Sequence, residues 1–520
     1  MKKVQEKELK WVKPLASRRI KMYRKAQEQE TAPENFELPF EEKLALDNRW
    51  VIMAKMIPWS EFDGEYAAIF SEKIGAPAKT FRMALGALII KEKLGISDRE
   101  TVEQIRENPY LQYFIGMSAY SNKPPFDPSM LVHFRERIDI NLVNKINREI
   151  VKQALEILEE TVQEKKSEAE DSKSEPTNRG KLILDATCTP ADVSYPTDLG
   201  LLNQARKHTE TIIDILYKSL EVKTINKPRT YRNIARKNYL LVAKKRKPTL
   251  KEKRKAIKVQ LQYIKRNLGH IQQLIELGAS LENLSNRQYK ILLVVEEVYR
   301  QQLWLYENQK QSIEDRIVSL SQPHIRPIIR GKAGKKTEFG AKLSASCHDG
   351  YVFIDHISWD NFNESGDLKS QVEAYKTYTG YYPESLHADK IYRTRDNRAW
   401  CQERGIRLSG PPLGRPPKNV SKENKKQAAY DEGIRNCIEG KFGQGKRRFS
   451  LGRVMAKLPH TSLTTIAITF LVMNLSTLLS RGFWGFLWPF FQITSFFSNS
   501  IRKSDVLPNF KQQKLIFVFS

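Results

Sequence analysis

The chain has 520 residues, of which 40% are hydrophobic and 28% charged, enough for two or three domains with real cores and too apolar for a disordered polymer. Its 87 Lys and Arg against 60 Asp and Glu leave a formal charge of +27, which repels a second copy of itself and favours a polyanion: nucleic acid first, an anionic membrane surface as the competitor. Four cysteines, Cys188, Cys347, Cys401 and Cys437, none at metal-finger spacing, exclude a disulfide framework and read as reduced thiols of a cytosolic protein.

The opening MKKVQEKELKWVK carries the charge of a secretory leader without the apolar run that should follow. From 40 to 161 the pattern is helical. FRMALGALIIKEKLG has apolar residues spaced for a core-facing helix, with Gly95 placed to end it. Ser97 then caps a second helix over SDRETVEQIRENPYLQYFIG, with Glu100 at the capping-box position. Two helices on a tight Gly turn suit either a DNA-binding helix-turn-helix or an ordinary helical hairpin.

Residues 162–180, VQEKKSEAEDSKSEPTNRG, are polar and free of aromatics, a flexible linker and the clearest domain boundary. KLILDAT follows as a strand ending near Asp185, and residues 200–322 return to a helical pattern. Within that block, 223–266 hold seventeen Lys and Arg against one acid, Glu252. Arg232, Arg236, Lys244, Lys245, Arg246, Lys247 and Arg254 belong to this run, whose density favours phosphate contact over a merely solvated face.

TEFGAKLSASCHDGYVFIDHISWD predicts two strands joined at His348-Asp349-Gly350. A helix at DLKSQVEAYKTYTG, a strand ending at SLHAD, the helix DNRAWCQERG and the strand IRLSG come next, and a Pro- and Gly-rich loop leads to a last helix. Without the helical block, this is the element order of an α/β ribonuclease-H-like fold. TSLTTIAITFLVMNLSTLLS, 461–480, is too polar for a comfortable lipid span and predicts a buried helix, so no stable membrane insertion is expected. The aromatic tail 481–520 has no assigned role.

Asp185 and Asp389 fall at strand C-termini, where open α/β sheets present ligand-binding groups, and Glu439 falls on the helix after the last strand. Three converging carboxylates require cations between them, and two Mg2+ ions (Mn2+ as substitute) would activate a water or a 3′ hydroxyl for attack on phosphorus. In RNCIEGKFGQGK, Arg435, Glu439 and Lys446 share a helix face, while Gly440, Gly443 and Gly445 would let a nucleic-acid backbone approach. The plain alternatives are strand-end turn residues and an i,i+4 ion pair between Arg435 and Glu439.

At these residues the chain resembles the DDE transposases of bacterial insertion sequences, specifically the insertion sequence 5 family, whose hallmark is Y-x2-R-x3-E-x6-K. Arg435, Glu439 and Lys446 fit the R-x3-E-x6-K part, whereas Glu432 stands at the tyrosine position with Tyr430 two residues early. LILDATCTPADVSYPTDLGLL and YPESLHADKIYRTRDNRAW are similar to the family's two aspartate regions, and RPIIRGKAGKKTEFGAKLS and RLSGPPLGRPP add to the likeness. The resemblance covers about 40–480. It implies catalytic, metal-binding Asp185, Asp389 and Glu439, with DNA contacts from Arg435, Lys446 and Lys390. It also implies a catalytic domain at 181–480 carrying the basic insertion, and a 40–161 domain that recognises terminal inverted repeats. The activity implied is cleavage at element ends followed by strand transfer, by a homodimer or larger assembly on double-stranded DNA in the bacterial cytoplasm, associated with the nucleoid. A nuclease or resolvase without strand transfer, and a catalytically inactive DNA-binding derivative, remain open.

Overall fold

The computed structural model describes residues 23–25, 36–38, 43–72, 75–164, 178–220, 225–329, 337–411, 414 and 421–501. The N-terminal part is built from α1 (Arg49–Met56), α2 (Trp59–Ala67), α3 (Phe81–Leu94), α4 (Asp98–Glu107), α5 (Pro109–Phe114), α6 (Met130–Arg137) and α7 (Ile140–Glu164). Local chemistry sets the ends of α3 and α4. Thr80 Oγ1 accepts from the Met83 N–H, Gly95 closes α3 in the left-handed region at φ 68°, and Ser97 Oγ accepts from the Glu100 N–H. The single helix expected over 97–116 is two. Proline's ring disfavours the α conformation for its predecessor, so Asn108 stays extended at φ −115° and caps α5 by accepting from the Tyr110 N–H at 2.9 Å.

The six-stranded sheet is organised around β1 (Lys181–Pro190). On one side β1 pairs antiparallel with β3 (Thr337–His348), which pairs antiparallel with β4 (Tyr351–Ser358). On the other it pairs parallel with β5 (Ser385–Ala388), followed by parallel β6 (Arg407–Leu408). The sequence reading lacked the short edge strand β2 (Arg326–Ile329), which pairs with the first residues of β3. Where β1 and β2 both flank β3, a Cβ on Gly340 would sit 2.0 Å from the Thr189 carbonyl oxygen, so only glycine fits. The β3–β4 hairpin turns on Asp349 (φ 51°) and Gly350 (φ 76°), the two positive φ values of a type I′ turn.

Between β1 and β2 the chain forms α8 (Asp198–Ser219), α9 (Arg232–Ala243), α10 (Leu250–Glu276) and α11 (Asn286–Glu307), packed around apolar clusters of their own such as Leu202, Ile264 and Val295. Capping boxes at Thr249/Glu252 and Ser285/Gln288 start α10 and α11. The remaining helices are α12 (Leu368–Thr379), α13 (Arg395–Glu403), α14 (Lys422–Arg448) and α15 (Pro459–Ile501).

Alternation along β1 divides the sheet's two faces. Leu182 and Leu184 pack with Leu368 and Val372 of α12, while Ile183 joins the cluster containing Ile438 and Phe442 of α14. That second cluster is continuous with the N-terminal helices and with Phe470, Leu471 and Met473 of α15. Asn474 ties the three together. Its amide donates to the Asn147 side chain of α7 at 2.9 Å and to the Val352 carbonyl of β4 at 2.8 Å, and it accepts from the Val352 N–H. The N-terminal helices therefore share one core with the sheet. The boundary expected at 162–180 separates stretches of chain rather than cores, and 165–177 lie outside the described residues.

Pro459–Arg481 is long and apolar enough to cross a membrane, yet 72% of its most apolar stretch is buried inside the protein. The helix runs on to Ile501, beyond the expected 480. Of the aromatic tail, 502–520 lie outside the described residues.

Candidate active site

Asp185 lies on β1 and Asp389 directly follows β5, and the register brings them side by side. Leu184 and Ala388 are the last partners of the β1–β5 ladder, so the two aspartates are the next positions on neighbouring strands, whose spacing is about 4.8 Å. Both project to the face that carries Ile183, the face packed against α14. Each carboxylate is oriented locally: Asp185 Oδ1 accepts from the Ala186 N–H at 2.8 Å, and Asp389 Oδ1 caps the 3₁₀ turn Lys390–Tyr392 by accepting from the Lys390 N–H at 2.6 Å.

Glu439 reaches the same place from α14. A cleft of about 740 Å³ exists elsewhere, but the acids line a separate one of about 560 Å³, whose walls include Asp185, Asp389, Glu439, Arg435, Lys342 and Glu364. Burial pushes the Asp185 carboxyl up to about 6; Glu439 and Asp389 add to the rise, and the Ala186 N–H and Arg435 oppose it. The cleft wall carries four carboxylates, Asp185, Glu364, Asp389 and Glu439, against two cations, Lys342 and Arg435. Among the described residues, no three His, Cys, Asp or Glu side chains stand close enough to ligate one ion. The donor chemistry, three hard carboxylates short of countercharge, fits a divalent cation of the Mg2+ type, in an arrangement more open than a formed ligand set.

Arg435 is spent within α14. Nη1 donates to Glu439 Oε1 at 2.9 Å, and Nη2 and Nε donate to Glu432 at 2.6 and 3.2 Å. The glutamate at the expected tyrosine position is thus the guanidinium's anchor. The hydrogen bond from Arg435 holds the Glu432 carboxyl below its usual range. Tyr430 turns away to Lys181, whose Nζ donates to its hydroxyl at 2.5 Å. Lys446 lies about two turns beyond Glu439 and, like Lys390, is not part of the cleft wall.

Two of the three glycines answer to something other than an approaching strand. A Cβ at Gly445 would lie 3.0 Å from both Leu451 Cδ2 and Met473 Sδ, so this glycine seats α14 against α15, and one at Gly443 would meet the Arg447 guanidinium at 3.1 Å. Only Gly440 faces open space, with nothing within 4 Å.

No residue of the basic run lines the cleft. Arg232 pairs with Asp214 through two 3.0 Å bonds, Lys245 pairs with Glu252 at 2.5 Å, and Arg254 donates to the Tyr306 carbonyl at 3.2 Å. Arg236, Lys244, Arg246 and Lys247 are exposed. His387 is buried and shares a 3.0 Å hydrogen bond with Ser385 Oγ, with Asp431 on its other side, so it is a packing partner of α14. The four cysteines are free thiols.

Sequence reasoning missed Lys342 and Glu364. Lys342, opposite Cys188 on β3, donates to the Phe362 carbonyl at 2.6 Å and pairs with Glu364 on the cleft wall. Its place within TEFGAKLSAS, two residues after the glycine that admits β1, was the available signal.

Residues 386–476 match the family described as transposase DDE domain, and residues 38–137 match the transposase domain DUF772. The first match contains Asp389, Arg435, Glu439 and Lys446; Asp185 lies outside it. Over 155 residues, 30% of this chain and 68% of the relative, the sequence is 28% identical to a protein of Rhizobium meliloti named uncharacterized protein ORF8 in nfe locus. No solved structure matches. With a mixed sheet and an acidic cleft already in place, the two domain matches support a DDE transposase, an enzyme whose partner is DNA.

Proposed function

We propose that the chain is a DDE transposase of the insertion sequence 5 family, which cleaves DNA at the ends of its element and joins the freed 3′ ends to target DNA. The observation that carries this reading is the common cleft of Asp185, Asp389 and Glu439, delivered by the central strand, its parallel neighbour and the helix after the last strand. A ribonuclease-H-like catalytic domain over 181–480 is supported by the strand order, with an antiparallel pair on one side of β1 and a parallel pair on the other.

Asp185, Asp389 and Glu439 would hold two Mg2+ ions, or Mn2+ in their place, which when bound supply Lewis acidity at phosphorus and lower the pKa of the attacking water or hydroxyl. The residues of the chain do the positioning. The Ala186 and Lys390 N–H groups fix one oxygen of each aspartate. Arg435, held between Glu432 and Glu439, presents fixed positive charge at the cleft wall for a phosphate. Lys446, Lys390 and the exposed Arg236, Lys244, Arg246 and Lys247 extend this along the DNA backbone, with the anchored Arg232, Lys245 and Arg254 adding to the field. The 40–161 helices take the terminal inverted repeats, and two copies hold two ends, as a cytoplasmic assembly on the nucleoid.

The test is Mg2+-dependent nicking of DNA carrying the element's ends. Asp185→Asn should abolish it while leaving DNA binding intact; nicking that survives refutes the site. Pre-cleaved ends that fail to join target DNA would instead select a nuclease of the same fold.

A further inference from the structure

A second cavity, separate from the carboxylate cleft, is larger than it. It measures about 740 Å³ and opens where the Gly95–Ser97 turn between α3 and α4 meets the end of α14 and the start of α15. Six cations line it from separate stretches of chain: Lys91, Arg99, Arg135, Arg447, Arg448 and Arg453, against only two carboxylates, Glu92 and Asp98. Both carboxylates are committed. Glu92 is buried and accepts from Ser450 N (2.7 Å), Ser450 Oγ (2.6 Å) and Thr469 Oγ1 (2.8 Å). Asp98 takes a two-pronged contact from Arg135 at 3.0 and 2.5 Å. Arg453 is held by Asp192. That leaves Arg99, Arg447 and Arg448 exposed at the cavity; among the described residues, Asp127 lies within electrostatic reach of Arg99. The field is felt nearby: burial, with Arg49 and Arg448 adding, brings the Lys93 ammonium down to about 8.

We infer that this cavity is a second DNA-backbone site, which takes phosphodiesters away from the point of cleavage. Its position gives the reason. Arg447 and Arg448 follow Glu439 by eight and nine residues on one helix, about 12–14 Å along its axis. Arg447 and Arg448 lie about 80° and 180° around α14 from Glu439, so a duplex that crosses the end of this helix would bring phosphates about four base pairs from the scissile one to the cavity, at 3.4 Å per step. The Gly95–Ser97 turn and the cleavage helix would then grip the same duplex, and the shared core of the N-terminal helices and the sheet fixes the distance between the two grips. The inference rests on the transposase reading only for the identity of the polyanion.

The experiment measures affinity of the full chain for a mixed-sequence duplex several helical turns long, as a function of salt. Each lost phosphate contact lowers the slope of log K against log salt by about 0.9. Arg99→Gln/Arg447→Gln/Arg448→Gln should lower it by about 2–3 with little change in thermal midpoint, since all three side chains are exposed. The matching triple lysine variant should keep the slope, and the exposed Lys55→Gln on α1 should change it by no more than one. A fall of less than one in the glutamine variant, or an equal fall in Lys55→Gln, overturns the inference. Nicking at saturating DNA reports on the carboxylate cleft separately: absence of nicking by the unaltered chain would refute that site while leaving the salt slope readable.

Discussion

Asp185→Asn should make the protein more stable at alkaline pH in the absence of divalent cations, and the gain should vanish in acid. Burial and the two neighbouring carboxylates raise the Asp185 pKa from 3.8 to about 6. A shift of about two units amounts to roughly 3 kcal/mol of preference for the neutral form. In the unfolded chain the carboxyl ionises near 3.8, so the folded state binds the extra proton between that value and about 6. The penalty of the buried charge is therefore absent below about pH 4, grows as pH rises, and is complete above about pH 6. Asparagine carries no charge and can keep the acceptor oxygen that receives the Ala186 N–H. With chelator at pH 8 the variant should melt about 3–6 °C above the unaltered chain, given the several degrees per kcal/mol of smaller domains and the smaller shift of larger ones. At pH 4 the two midpoints should coincide. Added Mn2+ should reverse the order at pH 8, because only the carboxylate gains from the ion. A variant less stable than the unaltered chain at pH 8, or a gap that does not close on acidification, would show that Asp185 is not an under-neutralised member of the cleft.

Glu432→Gln should weaken Mn2+ binding about threefold to tenfold, because the Arg435 guanidinium, now shared between two glutamates, would fall to Glu439 alone and compete with the ion; electron paramagnetic resonance of free Mn2+ measures this, and an unchanged affinity counts against it. Gly440 and Gly445 should respond oppositely to alanine. Gly440→Ala, in open space on α14, should stabilise by about 0.5–1 kcal/mol in thermal melts, whereas Gly445→Ala, 3.0 Å from Leu451 and Met473, should destabilise by about 1–3 kcal/mol. If Gly440 is needed for close approach of a strand, its alanine variant will also bind DNA more weakly.

Much of the local structure was legible because its signals are local. Gly95 at φ 68°, the Asp349-Gly350 turn and the cap at Ser97 are each decided within a few residues, by steric freedom or by one side-chain oxygen. Asp389 directly follows its strand as expected, whereas Asp185 sits inside β1, which runs on to Pro190 because β3 keeps pairing with it. The break at Asn108 was also local, in the dipeptide Asn-Pro, and was read past. β2 was not legible, because four residues acquire strand character only by pairing with the edge of β3.

By itself, the order of residues determined the acids, the spacing of Arg435, Glu439 and Lys446 on α14, the excess of positive charge and the alternation that turns Ile183 and Asp185 to one face of the sheet, since these follow from periodicity and chain chemistry. Only the tertiary structure decided what each charge does: Arg435 holds Glu432 and Glu439, Arg232 holds Asp214, and Arg99 meets Arg447 and Arg448 at one cavity. A charge's partner is set by whatever packing brings within a few ångströms, and those neighbours come from stretches of chain up to hundreds of residues apart.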